Sequence, residues 1–144
     1  MLAILRPDNW NFPLFLHVLG AMAVTGATAA AFVAAVASRR WPWLRSVVAR
    51  TLLLATFPAW ILMRLGGAWE DSRSSIGDGS GWLGTGYIVA DAGFVLLIVA
   101  MVLGAVSVRR PQRNWPIGAV AVITGLYFVA LIVAMVAMTG KPGS

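Results

Sequence analysis

The chain has no cysteine and a single histidine, His17, among 144 residues. The first absence excludes disulfides, thiolate–zinc and iron–sulfur centres and any thiol nucleophile. The second excludes a bis-histidine metal site within one chain. Charge is also scarce: 11% of residues are Asp, Glu, Lys or Arg, and only five are acidic. A soluble domain carries about a quarter. No nucleophile–base pair, phosphate-binding glycine loop or pair of catalytic carboxylates stands out, which argues against hydrolase chemistry.

Apolar residues are abundant. They make up 60% of the chain, with a mean hydropathy of +0.84, which is the composition of an integral membrane protein. Four stretches, about 13–37, 44–67, 84–106 and 115–138, reach the roughly 20 residues a helix needs to cross a bilayer. Short polar connections join them. The expected fold is all-α: a polytopic, single-domain bundle of four transmembrane helices over residues 1–144, multi-pass in a cell inner or plasma membrane. The first stretch is too long for a signal-peptide core and lacks a basic leader, since Asp8, Asn9 and Asn11 precede it. Pro13, Pro42 and Pro116 mark helix starts, where a missing N–H costs nothing. Pro58 sits mid-span and predicts a break near Leu54.

The net charge of +6 is unevenly placed. Arg39, Arg40 and Arg45 in the first connection and Arg109, Arg110 and Arg113 in the third have no acidic neighbours. Arg6, Arg73 and Lys141 share the opposite side with Asp8, Glu70, Asp71 and Asp78. Basic loops stay in the cytoplasm, so both termini and the second connection are expected to be extracytoplasmic. Arginines held in short loops between apolar runs are a membrane pattern and not a nucleic-acid surface. Trp10, Trp69 and Trp82 fall at one expected interface and Trp41, Trp43 and Trp115 at the other, while Trp60 lies within a span. The Gly/Ser-rich acidic segment 70–81 reads as a mobile external loop, with a lid or docking surface as the alternative.

Ionisable groups inside a span are costly, roughly 2.5–3.5 kcal/mol at a helix centre. His17, Arg64 and Asp91 are such groups, on three different helices. Counted from the expected extracytoplasmic boundary, all three lie roughly 5–10 Å deep at 1.5 Å per residue. They are the candidate binding residues. Arg64 can pair with Asp91, snorkel toward Glu70, Asp71 or lipid phosphate, or grip an anionic ligand. His17 shares a helical face with Gly20, Ala21, Val24, Ala27, Thr28 and Ala31. This small-residue stripe admits either a close helix or a flat macrocycle with His17 as metal ligand. Met63, Met135 or Met138 could supply a second, thioether ligand. Thr25, Thr28, Thr56, Thr124 and Tyr127 are weaker candidates for contacts between helices, and Arg50 for the anionic leaflet.

The run Leu16–Gly20, the set Arg50, Pro58, Arg64, Gly66 and Trp69, and the third-span start Trp82–Gly86 together resemble uncharacterised bacterial four-helix integral membrane proteins. These are loosely similar to the protoporphyrinogen-oxidase-like and copper-resistance-D-type membrane families. The resemblance implies a shared fold, with haem b at the first-span histidine, here His17. This chain has Gly84-Thr85-Gly86 and Asp91 where the oxidase-like family has a lysine and a further histidine. Two functional expectations follow. One is a redox or electron-transfer protein holding haem b or a quinone with His17, Arg64 and Asp91. The other is a non-catalytic subunit packed against other membrane subunits or its own copies. A small transporter ranks third, because Asp91 is off the midplane and repeats are absent.

Overall fold

A computed structural model describes residues 11–74 and 81–140, with side chains at 12–72 and 84–137. These residues are helical apart from short turns. They form α1 (Asn11–Ala37), α2 (Leu44–Thr51), a π-helical turn (Leu52–Thr56), α3 (Phe57–Ser74), α4 (Gly81–Arg109) and α5 (Trp115–Gly140). α2, the π turn and α3 run on without a gap, so the described residues form four helices long and apolar enough to cross a membrane. It is a multi-pass membrane protein. The π turn lies over the carbonyls that Pro58 leaves without an N–H donor, where the sequence predicts a break. Thr56 Oγ1 donates to the carbonyl of Thr51 there.

One boundary differs from expectation. Hydropathy ends the second span at Gly67, but the helix continues to Ser74. Glu70 and Asp71 therefore ride on α3 and do not belong to a loop. The glycines at 66 and 67 are contact surface for α1 and not a helix stop. Residues 75–80, the rest of the expected loop, lie outside the described residues, as does Trp10; the side chain of Trp82 is likewise not described.

α1 packs on α2, α3 and α5, and α4 packs on α5 and α2, while α3 and α4 are the most loosely packed of the neighbouring helices. Two buried clusters fill the interior. One, toward the arginine-rich end, gathers Ala31, Ala35, Leu52, Leu97, Ile117 and Val120. The other gathers Val24, Ala59, Met63, Ala90, Tyr127 and Leu131. Lipid is as apolar as these side chains, so helix association depends on close packing rather than escape from water. Small residues supply it. A Cβ on Gly20 would overlap the backbone nitrogen of Met63, and one on Gly66 would lie 2.5 Å from the backbone nitrogen of His17. On the other side of the bundle, Gly93 of α4 receives the ring of Tyr127 from α5.

Arg45 joins the arginine-rich connections. It is buried, and its guanidinium donates to the Pro111 carbonyl at 2.7 Å and to Asn114 Oδ1 at 2.6 Å. One of the six arginines counted as interfacial charge is thus a clamp from the first turn of α2 to the loop before α5. The other five are exposed, as are Trp41, Trp43 and Trp115 beside them.

The glycine contacts predict opposite outcomes at neighbouring sites. Gly20→Ala and Gly66→Ala should each lower the unfolding free energy by about 1–3 kcal/mol, because the contacted atoms are backbone. Gly26→Ala meets nothing within 4 Å and should raise it by up to about 1 kcal/mol through helix propensity. Denaturant titration in mixed micelles checks all three.

Candidate functional site

The polar residues gather on one face of α3. Trp60, Arg64, Gly67 and Asp71 follow each other at three- and four-residue steps and so share a side of the helix, with Met63 beside it toward α1. α1 meets this face on one flank and α4 on the other.

On the α1 flank, His17 Nδ1 lies 2.8 Å from the carbonyl oxygen of Met63. A carbonyl can only accept, so Nδ1 carries the hydrogen, and in the neutral imidazole Nε2 is the bare nitrogen. Gly67 makes the contact possible, since a Cβ there would sit 2.8 Å from Nδ1. The small-residue stripe of α1 is taken up by protein: Gly20 lies on the Met63 backbone, and Val24, Thr28 and Ala31 are fully buried. Met63 contributes its backbone carbonyl, Met135 Sδ accepts a long contact from Thr25 Oγ1 at 3.8 Å, and the side chain of Met138 is outside the described residues. Among the described residues, no three His, Asp or Glu side chains form a metal-binding group.

On the α4 flank, Arg64 Nε and Asp91 Oδ1 are 3.2 Å apart, with the side chains 30% and 63% exposed. The Arg64 guanidinium lies over the Tyr87 ring at 4.8 Å. The Tyr87 hydroxyl donates to Asp71 Oδ2 at 2.6 Å. One turn below, Trp60 Nε1 donates to the carbonyl of Ala90 at 3.0 Å and its ring sits 4.7 Å from that of Phe94. Long side chains thus bridge two helices that pack only loosely. Arg64 reaches Asp91 directly and Asp71 through Tyr87, which combines two of the alternatives open for it in the sequence. His17, Arg64 and Asp91 all converge on one turn of α3, Met63–Gly67, but His17 and Asp91 are on opposite sides of it.

The structure adds Tyr87 to the site. Tyr87 stands one turn before Asp91, an i, i+4 spacing that the sequence does show. Asp71, named in the sequence as one direction for Arg64, joins the site through the Tyr87 hydroxyl. The threonines bond chiefly within their own helices: Thr28 to Val24, Thr124 to Val120 and Thr25 to Ala21, all through the carbonyl four residues back. Tyr127, only 2% exposed, has no hydrogen-bond partner for its hydroxyl among the described residues. Comparison of the chain with protein-family models, with characterised proteins and with solved structures finds no match.

The pair should show up as a coupling rather than as two independent costs. Asp91→Leu alone leaves Arg64 charged and without its carboxylate, whereas Arg64→Met with Asp91→Leu removes both charges. A double-mutant cycle on unfolding in micelles should give a coupling of about 0.5–1.5 kcal/mol, with the double variant less damaged than the sum of the single ones.

Proposed function

We propose that this protein is an intramembrane docking subunit: a non-catalytic member of a membrane assembly whose α3–α4 seam receives another transmembrane helix. The observation that carries this reading is the ion pair of Arg64 with Asp91, more than half of whose side chain is exposed on a face otherwise made of apolar residues. A carboxylate at a lipid-facing position is expensive. Covering it with protein, which can add hydrogen bonds while excluding lipid tails, removes that cost. The arginine-rich end then faces the cytoplasm and the seam lies toward the extracytoplasmic side of an inner or plasma membrane.

The chain extracted with its surrounding lipid in polymer-bounded discs should have a particle mass above that of one chain. Arg64→Met with Asp91→Leu should bring it down to a single chain. A wild-type particle containing one chain and no other protein would end this reading.

A second reading keeps His17 as a cofactor-binding residue, because its Nδ1–H is held by a carbonyl and its Nε2 lone pair is left over. That arrangement suits an axial haem b ligand or an acceptor for a quinol hydroxyl. The closed stripe on α1 counts against a macrocycle there. Purification after haem-replete expression should give colourless protein; a Soret band that disappears in His17→Ala would favour this second reading over docking alone.

A further inference from the structure

The charges of the seam also bear on what occupies it. We infer that the helix received there belongs to a second copy of this chain, related by a two-fold axis along the membrane normal. This rests on the docking reading above and adds the partner's identity.

The occupant must satisfy a positive and a negative group side by side. A lipid phosphate would serve Arg64 and repel Asp91, and a purely cationic helix would do the reverse. A two-fold copy supplies both signs. Rotation about the membrane normal leaves depth unchanged, so Arg64 of one copy meets Asp91 of the other at the same level without any further matching. The four charges then alternate in sign around the axis, each with two opposite neighbours. An unrelated partner would need its own pair of charges at that depth.

The apolar part of the face is suited to the same contact. Ile88, Val95, Val99 and Val102 flank Asp91 along one exposed side of α4. β-branched side chains in a helix hold essentially one rotamer, so packing them against another helix loses little side-chain freedom. The outward face of α5 is equally apolar but carries no charge: Val122, Leu126, Val129 and Val133 are exposed there. That face is complete in lipid and serves as the comparison.

The test places the photo-crosslinking residue p-benzoylphenylalanine at Ile88, 70% exposed, or at Val129, 59% exposed, in the full chain within its native membrane. The expected result is a product of twice the chain mass from position 88 and none from 129. The product should be lost when Arg64→Met and Asp91→Leu are combined and retained when the two residues are exchanged (Arg64→Asp with Asp91→Arg). A product at 88 containing a different polypeptide would overturn the second copy while leaving docking intact. No polypeptide product at 88 would overturn both. Equal doubling from 88 and 129 would mark random collision and overturn the second copy.

Discussion

The crossing of α1 over α3 is the contact on which the rest depends. Gly20 lies against the Met63 backbone and Gly66 against the His17 backbone, so at these two points one backbone meets the other. In a medium where apolar surface has nothing to gain by hiding, that intimacy is a main source of cohesion. It also sets the rotation of α3. With Met63 turned to α1 and the core, Arg64, one residue on, is turned toward α4. The imidazole contact and the ion pair are both consequences of one helix being held at one angle.

The bundle is correspondingly uneven. Where glycine and alanine line the contacts, backbones touch. Where α3 faces α4, tryptophan, phenylalanine, arginine and tyrosine fill a wider gap, and the contacts are rings, an ion pair and hydrogen bonds. Such a seam can be specific in register, because each bond has a single partner, but it leaves polar atoms near the surface. At the opposite end the same logic appears in a closed form: Arg45 is buried and its bonds go to oxygen atoms of the facing loop. One guanidinium is enclosed within the fold and the other is half open. That difference makes Arg64 rather than Arg45 a candidate for contact with something outside the chain.

The small-residue stripe of α1 shows how a sequence pattern can hold two meanings. Gly20, Val24, Thr28 and Ala31 suit a close helix and a flat ligand equally well, since both need low side-chain volume. The choice belongs to α3, whose own glycines allow it to come near enough to take the space. His17 turns its Nδ1–H to the Met63 carbonyl, and Gly20, Val24, Thr28 and Ala31 beyond it are buried.

The four spans, the helical class and the membrane environment were legible in the sequence, because twenty apolar residues in a row satisfy a bilayer without reference to anything else in the chain. The break before Pro58 was legible for the same local reason: a missing N–H acts on its own helix. The end of α3 was not, since hydropathy registers Gly66 and Gly67 as a boundary while packing uses them as a platform. Tyr87 and the clamp of Arg45 were also out of reach, because each depends on which residues of distant segments stand at the same level and azimuth. The sequence by itself determined how many times the chain can cross a membrane and which ionisable groups must be accommodated inside it, since those are matters of length and transfer energy. Only the tertiary structure decided what accommodates each one, because partners across a bundle are chosen by the rotation of one helix against another.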